Sequence, residues 1–190
     1  HNVVAGFEKP LWFKTETIQS EELTWTRTNA HHAIADECKS VQNDVGVIDI
    51  SGSSKFMVSG KDANKFLNFL SCNKMPQNTG AIGLTLFHSH RGGIMTEQSI
   101  TKINDDTYYL VGPILSENRD LDWMRSHTKN FRVQIENQTE TTSSLLVTGP
   151  KSRELLQKIM KDDLSNSSLP WLRSKKMLVD SAQVRVMRAS

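Results

Sequence analysis

Residues 80–112, GAIGLTLFHSHRGGIMTEQSITKINDDTYYLVG, decide how this chain folds. They divide into three extended segments separated by turn residues. Ile82 to His88 is apolar and ends at a polar turn closed by Gly92 and Gly93, which tolerate the positive φ of a tight hairpin. In the second segment Met95, Glu97, Ser99, Thr101 and Ile103 share one face, and Ile94, Thr96, Gln98, Ile100 and Lys102 share the other. Asn104-Asp105-Asp106 supplies the next turn, and the aromatic, β-branched run Thr107 to Val111 returns as a third strand. Glu97 therefore falls on a face that is apolar at both ends. It reads either as an ordinary half-exposed strand glutamate or as a functional carboxylate, and the pattern alone leaves both open.

Working back from this stretch, Lys61-Asp62 opens a helix whose Ala63, Phe66, Leu67 and Leu70 form a core stripe. Before it, VGVIDIS (45–51) and KFMVSG (55–60) are strand-like runs joined by Gly52-Ser53-Ser54, which predicts a hairpin. Ala30, Ala33, Ile34, Cys38 and Val41 recur at intervals of three and four, predicting an amphipathic helix from Ala30 to Asp44 with Gly46 as a stop signal. Residues 1–29 carry AGFEKPLWF and then a polar stretch rich in Thr, Glu and Ser, and read as a tether whose Trp12 and Phe13 pack onto the domain that follows.

Working forward, Ser116 is placed to cap a helix running to about Asn130, with Leu121, Trp123, Met124 and His127 toward its buried side. Strands are expected at 131–135 and 144–147, a helix at 151–160 after Gly149-Pro150, a loop at 161–172, and strands at 176–179 and 184–188. Frequent hairpins without a strict βαβ alternation imply an α+β fold with mainly antiparallel sheets and packed helices.

With 190 residues the chain is long enough to bury a core, and its net charge of +2 comes without a basic block or stripe, which argues against nucleic acid as partner. No apolar run approaches the ~20 residues of a membrane helix and no signal peptide opens the chain, so a soluble intracellular protein without a membrane partner is expected. Cys38 and Cys72 form no C-x-x-C pair and read as free thiols. The chain starts at His1 and ends inside the strand-like VRVMRAS (184–190), which suggests a piece of a longer polypeptide.

There is no G-x-G-x-x-G, P-loop, nucleophile elbow or zinc spacing. His88 with His90, and His31 with His32, suggest a metal only weakly, because no carboxylate or cysteine falls at a matching interval, and no metal site is expected. The serine-rich turn at 51–54 reads as a hairpin loop ahead of an anion site.

Taken together, four pieces resemble the glycine-cleavage T-protein (aminomethyltransferase) family. They are DVGVIDISGSSKFMVSGKDANKFLNFL (44–70), LTLFHSHRGGIMTEQSITKINDDTYYLVG (84–112), ENRDLDWMRSH (117–127) and LLVTGPKSRELLQK (145–158). AGFEKPLWF (5–13) resembles the junction in the branch fused to flavin amine oxidases, the dimethylglycine and sarcosine dehydrogenases. The resemblance spans roughly residues 30–190 and implies a folate-binding domain there that ends before the family's C-terminal barrel, with residues 1–29 as the tether from an upstream domain. It also implies an upstream FAD domain that oxidises an N-methyl amine, and tetrahydrofolate that captures the product as 5,10-methylene-tetrahydrofolate.

It further implies Glu97 as the acidic residue beside the folate's reacting nitrogens, and Leu84, Leu86 and Val111 as folate contacts. A carboxylate suits that place because it stabilises a cation and accepts a proton. The sequence departs from the family pattern at Leu84, where T-proteins have tyrosine, and at Gly52-Ser53, where they have a His-Met pair. The family's Gly-Glu-x-Gly-Trp-Glu motif would follow Ser190. Two other readings stay open: a catalytically silent regulatory relative, such as the regulatory subunit of pyruvate dehydrogenase phosphatase, and a free-standing aminomethyltransferase. The compartment expected is cytoplasmic for a bacterial source and the mitochondrial matrix for a eukaryotic one.

Overall fold

The computed structural model describes residues 1–4 and 6–189; Ala5, which begins the AGFEKPLWF stretch, and Ser190, which ends VRVMRAS, lie outside the described residues. In chain order the elements are β1 (Asn2–Val4), β2 (Phe7–Lys9), α1 (His31–Asn43), β3 (Gly46–Asp49), β4 (Ser54–Ser59) and α2 (Ala63–Leu70). Next come β5 (Ile82–His88), β6 (Ile94–Asn104), β7 (Thr107–Gly112), α3 (Glu117–Ser126), β8 (Gln134–Asn137) and β9 (Leu145–Thr148). The last are α4 (Ser152–Ile159), β10 (Arg173–Val179) and β11 (Ala182–Arg188). Every strand pairing among the described residues is antiparallel, so the α+β class with antiparallel sheets is what forms. No closed barrel occurs among the described residues.

The chain divides into two compact units, residues 1–50 with 144–159 and residues 51–143 with 160–190. In the first, β1 pairs with β2 and β3 pairs with β9, Val47 opposite Val147. Helix α1 buries Ala33 behind the buried Ala30, whereas Ile34 and Cys38 are exposed, so its apolar stripe is narrower than the spacing predicts. Phe13 is 62% exposed and does not pack as an anchor.

The expected hairpin between 45–51 and 55–60 does not form. A strand has two edges, and those of β4 are taken by β7 and β8, leaving β3 to pair with β9. The serine turn is instead drawn around Lys55, whose Nζ donates to the Ser51 and Ser53 carbonyls at 2.6 and 2.9 Å.

The second unit is organised on a five-stranded sheet of order β5-β6-β7-β4-β8. The first three strands are the hairpins expected from residues 80–112, and Gly92 holds φ at +77° in the turn. One face of the sheet carries Phe56, Val58, Ile100, Tyr108 and Leu110, all buried. Against it α2 lays Ala63, Phe66, Leu67 and Leu70, the stripe its spacing predicts, and α3 adds Leu121 and Met124. Ser116 stands at the N-cap position of α3 but makes no capping bond; its Oγ donates to Asp120 Oδ2 at 2.7 Å. The helix ends at Ser126, four residues before the expected end, and the chain continues as a 3-10 turn, Thr128–Asn130.

Candidate functional site

The opposite face of β5, β6 and β7 is assembled by register. Leu86 lies directly across from Glu97, Leu84 across from Ser99, and Ser99 across from Val111. Side chains of cross-strand partners stand on the same side of a sheet. Glu97, Leu84, Leu86 and Val111, distributed over a stretch of sequence by three strands and two turns, thus share one surface. Leu84 is 54% exposed, Glu97 is exposed, and Leu86 and Val111 are half-buried. The Glu97 carboxylate has no hydrogen-bond or ion-pair partner among the described residues. An exposed leucine beside an unpaired carboxylate makes a surface with an apolar floor and one negative acceptor.

The strand is pinned from behind. Thr96 and Gln98, the neighbours of Glu97, point to the buried face, where Thr96 Oγ1 and Gln98 Nε2 donate to Asp120 Oδ2 at 2.8 and 2.9 Å. With Ser116, three neutral donors converge on one carboxylate oxygen, and Arg119 reaches the other oxygen at 3.3 Å. Asp120 is 1% exposed. A buried carboxylate is tolerable only when its lone pairs are satisfied, which ties α3 to β6 on either side of Glu97.

Sequence reading did not find Asp120. It lies one residue before the apolar position Leu121, and the only signal was an acidic residue four positions after Ser116, on the same helix face. Lys55 was missed as well: it is the cross-strand partner of Val111 and is fully buried, though a lysine in a strand reads as a surface residue.

The histidines do not gather into a metal site; among the described residues no three of His, Cys, Asp and Glu come together. His90 packs on the rings of Trp123 and His127, with centroids 5.2 and 5.9 Å away. His127 Nδ1 lies 2.8 Å from the Trp123 carbonyl oxygen, and Phe69 borders the same cluster. Cys38 and Cys72 are free and exposed. No described helix is long and apolar enough to cross a membrane.

Comparison with known proteins agrees with this architecture. The chain is 30% identical over 189 residues to mitochondrial dimethylglycine dehydrogenase of Mus musculus, covering 98% of this chain and 22% of that protein. It is 28% identical over 185 residues to an aminomethyltransferase of Thermotoga sp. (strain RQ2), covering 97% of this chain and 45% of that protein. The chain thus spans between a fifth and a half of the length of these relatives. In fold it matches the glycine cleavage system aminomethyltransferase T of Bartonella henselae with a TM-score of 0.66 at 18% identity, over 78% of this chain and 40% of that one. The family described as GCVT N-terminal domain matches residues 1–190. With that match along its whole length, the chain belongs to the GCVT N-terminal domain family, the aminomethyltransferase-type domains.

Proposed function

We propose that the chain is the tetrahydrofolate-binding, one-carbon-transfer part of a flavin-dependent N-demethylating enzyme of the dimethylglycine or sarcosine dehydrogenase type. One observation carries the reading: Glu97 stands exposed and unpaired on a sheet face, directly across from Leu86 and beside the exposed Leu84 and the half-buried Val111. A reduced pterin is flat, with broad ring faces and N–H groups along its edge. Leu84, Leu86 and Val111 would hold the ring faces, and Glu97 would accept from the edge. Folate, when bound, supplies nucleophilic nitrogens that take up a carbon unit at the formaldehyde level.

The part played by this chain follows from Glu97. Its carboxylate offsets positive charge that develops at the reacting centre and accepts the proton released as the new C–N bond forms. Asp120 acts behind it as a positioning residue, holding Thr96 and Gln98 so that the intervening side chain keeps its direction. Residues 1–29 serve, in this reading, as the join to an upstream FAD domain. The 30% identity to the mouse dehydrogenase supports the flavin-linked assignment. The likeness to the Thermotoga aminomethyltransferase supports a second reading, in which the same face serves transfer without a flavin partner.

The test is Glu97→Gln in the intact protein, which keeps shape and removes charge. Folate-dependent capture of the carbon unit is expected to fall by about 10²–10⁴-fold. Amine oxidation at the flavin is expected to stay within about twofold, with formaldehyde released in place of the captured product. Undiminished capture would return Glu97 to an ordinary strand surface residue. Slowed flavin reduction would place it in the wrong half of the enzyme.

A further inference from the structure

At the far end of β6 from Glu97 a cleft of about 710 Å³ opens between Ile103, the turn at Thr79 and Gly80, and the β10–β11 hairpin. All its charged lining residues are cations: Arg173, Lys175, Lys176 and Arg185. None of the four makes an ion pair with a carboxylate among the described residues; Lys175 and Arg185 reach only the hydroxyls of Ser168 and Ser174, at 3.3 and 3.2 Å. Lys176 and Arg185 lie directly opposite each other across the ladder. Like charges in that relation destabilise a hairpin.

The walls are fixed by backbone. Ser174 N donates to the Gly80 carbonyl at 2.7 Å, Ile82 N donates to the Leu172 carbonyl at 2.9 Å, and Ala81 bridges Arg173. Gly80 has φ +78°, and a Cβ there would stand 2.6 Å from the Ser174 carbonyl oxygen, so only glycine permits this approach. Arg185 is the costly member. It lies half-buried beside Tyr109, and burial pulls its pKa below the ordinary arginine value, the Tyr109 hydroxyl opposing that shift. A half-buried guanidinium without a counter-ion is a charge awaiting a partner.

We infer that this cleft is a binding site for a multiply charged oxyanion, held by Arg185 and Lys176, which share one face of the β10–β11 hairpin, and by Arg173 and Lys175 reaching it from the other face, with the hydroxyls of Ser167 and Ser168. Phosphoryl and carboxylate groups present the same chemistry to such a site: several acceptor oxygens bearing more than one negative charge. The inference stands apart from the folate reading, because it uses none of Glu97, Leu84, Leu86 and Val111.

Calorimetric titration of the intact protein with tripolyphosphate and, separately, with tri-γ-glutamate tests it, and the tighter probe identifies the source. Binding is expected at sub-millimolar concentration, weakened at least about tenfold by Arg185→Gln and by Lys176→Gln and unchanged by Glu97→Gln. If Arg185→Gln fails to fold, the double variant Lys175→Gln/Lys176→Gln, at two exposed positions, carries the same expectation. Absence of binding by either probe at millimolar concentration, or equal binding by wild type and variants, would overturn the inference. The cations would then serve only to guard the hairpin's edges against pairing with other strands.

Discussion

Gln98 donates from Nε2 to Asp120 Oδ2 at 2.9 Å, joining the centre of β6 to helix α3 through a carboxylate that is almost wholly buried. Thr96 and Ser116 donate to the same oxygen at 2.8 and 2.7 Å. Asp120→Ala would take the shared acceptor from all three donors, leaving Ser116 Oγ the Pro113 carbonyl at 3.0 Å and Thr96 and Gln98 only contacts of 3.4 Å, and the expected loss is about 3 kcal/mol. Asp120→Asn retains one acceptor oxygen and is expected to cost about 1–2 kcal/mol. Urea unfolding with an unchanged slope checks both, and equal stabilities of wild type and Asp120→Ala would show that the network carries no weight.

The contrast between Glu97 and Asp120 shows what the sequence makes legible. Local features came through: the alternation along 94–104, the stripe of Ala63, Phe66, Leu67 and Leu70, and the glycine turn. Each is settled by residues within one or two elements. The false hairpin of 45–51 with 55–60 was a nonlocal decision, because β4 is claimed on both edges by β7 and β8. Strand propensity says that a segment pairs and is silent on its partner. Polar residues turned inward were hidden for a related reason. Asp120 and Lys55 are stabilised by partners that only the folded chain supplies, so their types argue for the surface while their positions are interior. The shared face of Leu84, Leu86, Glu97 and Val111 could be assembled only once the register was known.

The turn between β5 and β6 separates two adjacent glycines. Gly92 holds φ +77° with open space where a Cβ would stand, so substitution there costs backbone strain and no collision. Gly93 carries no such φ, and a Cβ there would meet Ser89 Oγ at 3.4 Å, ordinary contact. Gly92→Val is expected to destabilise by about 1–3 kcal/mol, and Gly93→Ala by less than about 1 kcal/mol. Thermal melts of the two variants compare them directly; a neutral Gly92→Val would contradict the left-handed conformation.

Asp62 sets an acid limit. Its carboxylate accepts from Arg132 Nε at 2.9 Å and from the Arg132 backbone N–H at 3.0 Å. These bonds hold its pKa down at about 2 against an ordinary 3.8. The unfolded chain therefore binds the proton more tightly than the folded one, and acid favours unfolding. The stabilisation is whole above the ordinary value and is lost as pH falls from 3.8 toward about 2. In Asp62→Asn the melting temperature should fall less steeply across that window than in wild type. Parallel acid limbs would show that the pair does not set the titration.

Leu84 separates binding from stability. It is 54% exposed, so its side chain contributes little to folding, and Leu84→Ala should change stability by no more than about 0.5 kcal/mol. The same face contains Leu86 and the unpaired Glu97, and the proposed ligand would bury what Leu84 leaves exposed. At about 0.8 kcal/mol per buried methylene, removing the leucine's outer carbons should weaken tetrahydrofolate binding by roughly tenfold or more. Phe87, on the opposite face of the same strand and fully buried, is the control. Phe87→Ala should cost about 3–5 kcal/mol of stability by opening a cavity in the core. Fluorescence titration with tetrahydrofolate beside urea melts on both variants makes the comparison. A Leu84→Ala protein with unchanged folate affinity and unchanged stability would leave this leucine without a part in binding and move the ligand off the face of β5.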